Sequence, residues 1–397
     1  MIALPTNRDE NWRYANLRPL AKARVDAVSG GGAPLPADLP PPLPGHERLV
    51  FIDGRFQQSR SAPLRAVIRV LDANAAGAAF AAVLDSEIAT QGVDFALARI
   101  NAARGEEVLH VDLPENAETK VEALFISTAG ASAGTSYPRV QLHVGRQARL
   151  CFVERHLSVG AEAAVNAAVD VALAPGATLD HSREQRADDK ASCFDTLVAH
   201  VGERASYALR TVTLGGLTSR STIFVKLAGR AARCELTAAT VANGIQTHDV
   251  FAEIDHAAPE TVTRELFRGI ATERGKLAFN GKIIVRENAH ESDSEQSLKS
   301  LLTGSGAEAS ARPQLEIYTD RVRAAHGATT GKLDDQMLFY LLSRGIERAT
   351  AQALLQWAFI EAAVSRVVPM ALREDIERAV VKRLSAVASL DGLLVAP

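Results

Sequence analysis

Few residues in this chain have the chemistry to act, and they are widely spaced. His326 stands in the stretch RVRAAHGATTGKLDD (Arg321 to Asp335). A neutral imidazole is a borderline-soft ligand suited to iron and other transition ions. Its small neighbours Ala324, Ala325, Gly327 and Ala328 leave it open to approach. The plainer reading is a histidine in a turn, where alternating residues end and a helical pattern begins. The stretch HESDSEQS gathers His290, Glu291, Asp293 and Glu295, a possible metal set that equally fits a solvated strand and turn. Glu154 and His156 alternate in ERH and share one strand face, again readable as solvated. Cys151, Cys193 and Cys234 lie inside apolar alternation and read as small core residues.

Several activities lack local support. There is no GxxxxGK[ST] and so no P-loop, and no GxSxG or HExxH. GSGAEAS (304–310) does not complete a GxGxxG fingerprint and reads as a loop. A formal net charge of -3 gives no basic field for nucleic acid. Apolar runs are too short to span a bilayer, and MIALPTNRDENWRY has no apolar signal core. Three widely spaced cysteines without a CxxC suit a reducing cytoplasm.

Three regions would have to position these groups. In residues 1–104, NRDENWRYANLRPLAKARVDAV reads as a helix, with Trp12, Leu17, Leu20, Ala21 and Val25 near helical spacing. Six of the chain's 16 prolines follow in the linker 33–45. Proline fixes φ and lacks a donor, so that linker is extended. RLVFIDGRFQQS is a hairpin about Asp53-Gly54, and DANAAGAAFAAVLDSEI and DFALARINAARG are short helices. Residues 105–331 are short alternating segments with no long helix between them, which excludes a βαβ fold. A sandwich or barrel and a β-helix remain. Gly202, Gly216, Gly229 and Gly244 recur at intervals of 14, 13 and 15 residues, which favours a solenoid of stacked turns. Hydrophobic residues make up 47% but aromatics only 5%, so small and branched aliphatics must fill its core.

Residues 332–397 read as helices. Asp334 and Asp335 can cap QMLFYLLSR, and Gly345 can stop it. A second helix, ERATAQALLQWAFIEAAVSRVV, carries a stripe of Leu354, Leu355, Ala358, Phe359 and Ala362, and Pro369 ends it. REDIERAVVKRLSAVASL is a third.

One long string carries a resemblance. It runs through Phe279 to Lys282, Gln296, Leu301–Leu302, Pro313 to Ile317, His326 to Thr329, Leu333–Asp334 and Phe339 to Ile346. It resembles the signature end of the SufB/SufD family of iron–sulfur cluster assembly proteins. Arg8 to Leu17, Val50 to Phe56 and Asp94 to Ala103 are similar to segments of the SufD branch.

The resemblance implies a mainly β fold: an N-terminal helical region, a central right-handed parallel β-helix and a C-terminal helical domain. It implies a non-catalytic scaffold subunit of a cytoplasmic SufBCD complex. A SufB-like chain would pair along the β-helix edge carrying Pro313, Gln314, Glu316 and Tyr318. A SufC-like ABC ATPase would dock on the C-terminal helices, where Tyr340, Ser343 and Arg344 form a polar rim. Sulfur would arrive as persulfide from a cysteine desulfurase system. Iron or an iron–sulfur cluster would be held transiently at the partner interface, with no tightly bound cofactor, and His326 is the implied ligand. Ala324 and Ala325 stand where the family has cysteine and serine, so any thiolate must come from the partner. The same edge would pair two copies of this chain as a homodimer in isolation. A β-helix carbohydrate-active enzyme and a purely structural adaptor are the alternative functions.

Overall fold

The computed structural model describes residues 3–20, 25–28, 35, 39–87, 94–130, 132–159 and 162–384. Its body is a β-solenoid of about 8 turns, each contributing one strand to each of two facing sheets. Sheet one contains β1 (Glu47–Ile52), β2 (Arg55–Phe56), β5 (Glu118–Ser127), β7 (Arg149–Ser158), β9 (Thr178–Arg186), β11 (Ser206–Thr213), β13 (Arg233–Ala242), β15 (Val262–Ala271), β17 (Ser292–Leu302) and β19 (Val322–Gly331). Sheet two contains β3 (Ile68–Asp72), β4 (Glu107–Leu113), β6 (Arg139–Val144), β8 (Ala164–Leu173), β10 (Ser192–Val201), β12 (Thr218–Leu227), β14 (Thr247–His256), β16 (Lys276–Val285) and β18 (Glu308–Ile317). The hairpin β1–β2 and the β3–β4 pair are antiparallel; every other strand pair is parallel.

The register shows what the glycine spacing measures. Ser206 faces Arg233, which faces Val262, so a full turn is nearly two glycine intervals. Each interval is half a turn, one corner between the sheets. Gly216 and Gly244 take positive φ, whereas Gly202 and Gly229 are needed for close approach. A Cβ on Gly229 would sit 2.0 Å from the backbone nitrogen of Glu203. The left-handed corner positions themselves are mostly not glycine: Gln147, Arg204, Ala231, Glu260 and Glu291. Each donates its backbone N–H to a carbonyl in the next corner, from Gln147 to Pro175 through Glu291 to Arg321. The corners thus form a ladder like the strands.

Alternate residues point into the solenoid, and Leu109, Val121, Phe152, Leu209, Ile223, Ile254 and Phe279 belong to one buried core. The outer faces are covered. Helices α1 (Ala73–Glu87) and α2 (Ala96–Arg104) lie on sheet two, where Phe80, Leu84, Phe95 and Ala98 meet Ala168 and Val198. Helices α4 (Arg348–Val364) and α5 (Met370–Leu384) lie on sheet one. No helix among the described residues is long and apolar enough to cross a membrane.

Three expectations need correction. Among the described residues the expected N-terminal helix is only a 3-10 turn at Glu10–Trp12, and residues 21–24, Ala21 included, lie outside them. Trp12 is instead pinned by its indole N–H to Asp94, 2.8 Å away, and stacks under the Arg220 guanidinium. The buried face of α4 is Ala351, Ala353, Gln356, Ile360, Ala363 and Val364, whereas of the stripe read from the sequence only Leu354 and Phe359 pack, half-buried, at its flanks. It packs on Val212, Val241 and Ile270, outward-facing residues of sheet one that periodicity within the helix cannot anticipate. Finally, the stretch around His326 is a strand rather than a turn, because β19 continues the ladder for one more rung. Of the linker 33–45, residues 33, 34 and 36–38 lie outside the described residues. The third helix is α5, whose predicted continuation past Leu384 also lies outside them.

One buried ion network ties helices to solenoid. Arg155, 1% exposed, pairs with Glu184 at 2.7 Å, with Glu122 at 3.6 Å and with Asp375 of α5. Asp375 also takes Arg186 at 3.0 Å. Glu122 and Glu184 are both fully buried; Arg48 holds the first at 2.7 Å and Arg186 the second at 3.1 Å, and the Arg155 guanidinium between them offsets much of their remaining desolvation cost. Arg155→Ala is therefore expected to destabilise the fold by about 3–5 kcal/mol, read by urea denaturation. A change within experimental error would contradict this role.

Candidate functional site

The solenoid ends at β18 and β19. Among the described residues, β18 is hydrogen-bonded only to β16 and β19 only to β17, leaving two backbone edges unpaired. Such edges are templates for another strand. Side-chain burial collapses at this point. In β17 the inward positions Ser292, Ser294, Gln296, Leu298 and Ser300 are buried, while nearly all of β19 is exposed. Register assigns the inward set of β19 as Val322, Ala324, His326, Ala328 and Thr330. His326 is thus an exposed imidazole on the open mouth of the solenoid, aligned with its interior.

Beneath it stands a polar column. His326 is in register with Gln296, and Gln296 with Glu265. Gln296 Nε2 donates to Glu265 Oε2 at 2.6 Å. Glu265 Oε1 and the one side-chain oxygen of Gln296, Oε1, are each buried without a hydrogen-bond partner. Gln296 Oε1 is therefore an acceptor left over one rung below the histidine. Burial pushes the Glu265 carboxyl up to about 8, against the lowering effect of the Gln296 hydrogen bond. Gly281, from the FNGKI string, makes room for this pair. A Cβ there would lie 3.0 Å from Gln296 Nε2 and 3.1 Å from Glu265 Oε2. No single-residue signal marked Glu265 or Gln296 as a pair. Inward positions counted two by two along β15 and β17 would have found them.

The proposed pairing residues divide between faces. Pro313 is in register with Gly281 on the inward set. Glu316 lies outside and pairs with Lys282 at 3.0 Å. The side-chain carbonyl of Gln314 accepts from Arg312 Nε and Nη2 at 2.7 Å, and Arg312 also pairs with Glu10. Tyr318 is 58% exposed. On α3 (Asp335–Ser343) the Asp334 side chain accepts from the amides of Gln336 and Met337, the cap that the sequence announced. Leu338 is buried, while Phe339 and Tyr340 face solvent, with the Arg344 guanidinium 5.2 Å from the Tyr340 ring. Ser343 Oγ donates to the Tyr340 carbonyl.

The remaining candidates have structural partners. His290 hydrogen-bonds Thr319, and Asp293 pairs with Arg264, so HESDSEQS does not converge on one point. Glu154 is not solvated but 1% exposed inside the solenoid. It meets His156 at 3.2 Å, His181 at 2.8 Å and Arg183 at 2.8 Å. Burial would raise it, but Arg183 and the two imidazoles hold it well below the usual carboxylate range. Beside this network is a cavity of about 40 Å³ lined by Arg183, Cys193, Asp195, Ser221 and His248. Burial pushes the Cys151 thiol up to about 11, the Cys193 thiol up to about 12, and the Cys234 thiol higher still. None is poised as a thiolate. Cys234 shares the inward column of Ala324 but lies three rungs deeper, roughly 14 Å away.

A family model described as "SUF system FeS cluster assembly, SufBD core domain" matches residues 125–359. The chain is similar to the iron–sulfur cluster assembly protein SufD of Escherichia coli, 26% identical over 366 residues, covering 90% of this chain and 84% of that protein. A SufBD family protein of Synechocystis is 27% identical over 377 residues, covering 90% and 83%. One of Mycobacterium tuberculosis is 29% identical over 205 residues, covering 50% and 52%.

The Glu265 column yields a pH test. The folded carboxyl holds its proton to about pH 8, against 4.5 ordinarily. Between those values the native state binds more protons than the unfolded state, so stability falls as pH rises through the window and is flat above it. Glu265→Gln carries no such proton. Its urea-denaturation stability relative to the native chain is expected to rise from pH 5 to pH 8, by about 1.4 kcal/mol per unit at most, and then level. Parallel pH profiles would contradict a neutral buried carboxyl.

Proposed function

This chain belongs to the SufB/SufD family and is a SufD-like iron–sulfur cluster assembly protein, and from that premise we propose that it is a non-catalytic scaffold subunit of a SufBCD-type complex. One observation carries the reading: among the described residues both sheets end in a strand with one backbone edge unpaired, and the last of them, β19, carries an exposed imidazole on the inward column. A SufB-like chain of similar fold adds its own strands to β18 and β19. Pro313, Gln314, Glu316 and Tyr318 line the seam on one sheet, and His326 faces the junction from the other.

Iron or a nascent cluster is cargo here. One imidazole cannot hold it alone, because Ala324 supplies no thiol and the nearest thiol in its column is buried. The SufB-like partner supplies the thiolates. This chain supplies one nitrogen and orients it: a metal-binding imidazole usually donates its other N–H to an acceptor, and Gln296 Oε1 is the spare acceptor below. ATP is hydrolysed by a SufC-like ATPase docked on the C-terminal helices. The exposed Phe339 and Tyr340, rimmed by Ser343 and Arg344, have the aromatic-plus-arginine composition of interface centres.

Two measurements test this. In anaerobic reconstitution with SufB-like and SufC-like chains, His326→Ala is expected to lower cluster content several-fold while the complex elutes intact. Unchanged cluster content would reduce the chain to a structural adaptor. Arg344→Glu is expected to abolish copurification of the ATPase while the SufB-like chain is retained. Continued copurification would move the docking site elsewhere.

A further inference from the structure

The outer face of sheet two carries a cluster that the assembly reading does not use. Among the described residues, His110, Asp112 and His143 form the one set of histidine, cysteine or acidic side chains whose ligand atoms all lie within 4.8 Å of one another. Topology places them. His110 and Asp112 alternate on β4 with the core residues Leu109, Val111 and Leu113, so both face outward. His143 alternates with Leu142 and Val144 on β6, where it stands opposite Asp112. The two imidazoles meet edge to face with ring centroids 5.0 Å apart.

Structural roles leave part of this arrangement unexplained. His110 is 7% exposed, yet its Nδ1 is buried without a hydrogen-bond partner. A buried nitrogen left unpaired costs about 1–3 kcal/mol. Arg69 reaches Asp112, but at 3.7 Å and with both side chains about half exposed, so that pair contributes little. Asp170, opposite Gln141 on β8, is close enough to His143 for their charges to interact and would support the imidazole from behind.

We propose that His110, His143 and Asp112 form a binding site for a divalent first-row transition ion such as Zn²⁺ or Fe²⁺. Two imidazoles and one carboxylate suit such ions, whereas Ca²⁺ and Mg²⁺ call for oxygen ligands. Bonds of about 2.0–2.2 Å would bring the ligand atoms roughly 3–3.5 Å apart, so the side chains close by about 1 Å on binding. Asp112 and His143 reach solvent, which gives the ion an entry path and leaves positions for water. Six strand spacings, roughly 29 Å, separate β6 from the open edge at β18. The site therefore does not share ligands with His326.

The test uses the full, tag-free chain with Zn²⁺ as probe, titrated against a chromophoric chelator at pH 7.5, and with Co²⁺ for its ligand-field spectrum. The native chain is expected to bind one equivalent at this site. His143→Gln and Asp112→Asn, both at solvent-reaching positions, are each expected to weaken it by about tenfold or more. His143→Gln should also shift the Co²⁺ spectrum by loss of one nitrogen. No Zn²⁺ binding by the native chain overturns the proposal. Binding that is unchanged in both variants, with an unchanged Co²⁺ spectrum, overturns it as well.

Discussion

The structure depends on one constraint: in a parallel solenoid, each rung's backbone groups are satisfied only by the rungs on either side. Strand amides pair above and below, and the left-handed corner residues repeat the rule from Gln147 to Glu291. A rung cannot form alone, and the last rung always leaves an edge. At the N-terminal side, the antiparallel strands β2 and β3 close the two sheets. At the C-terminal side nothing among the described residues does so. The functional reading rests on that asymmetry.

Interior chemistry follows from the same stacking. Apolar and polar side chains share the interior: Glu154, His181 and Arg183 meet inside the rungs of β7 and β9, and Thr263, Glu265, Ser294 and Gln296 lie inward on β15 and β17. Polar groups stacked one per rung can bond only along the column or across to the opposite sheet. Glu265 and Gln296 use the first option, and Gly281 on the opposite sheet yields the space. The column ends on His326, whose environment is completed by whatever covers the mouth. An interior that is polar at its open end suits a partner of similar fold better than a flat apolar cap.

Much of this was legible in the sequence, for stated physical reasons. Alternation and half-turn glycines pointed to a solenoid because side-chain period and corner sterics are local. The hairpin at Asp53-Gly54 and the Asp334 cap were likewise local. Misreadings arose where long-range packing decides. Trp12 to Val25 has near-helical spacing, but Trp12 is held by Asp94 and Arg220 from distant segments. Glu154 looked solvated because its partners His181 and Arg183 belong to the next rung. His326 looked like a turn residue because β19 is rich in Ala, Gly and Thr, and only register with β17 makes it a strand. His110 and His143 were passed over because 33 positions separate them in sequence, while one strand spacing separates them in space.

The central claim is that β18 and β19 are completed by a partner's strands. Hydrogen–deuterium exchange measures this at the backbone amides concerned. Comparing the isolated chain with its complex with a SufB-like subunit, the account predicts strong new protection confined largely to residues 308–331. Unchanged exchange there, with protection appearing on the helices or the opposite end, would contradict it.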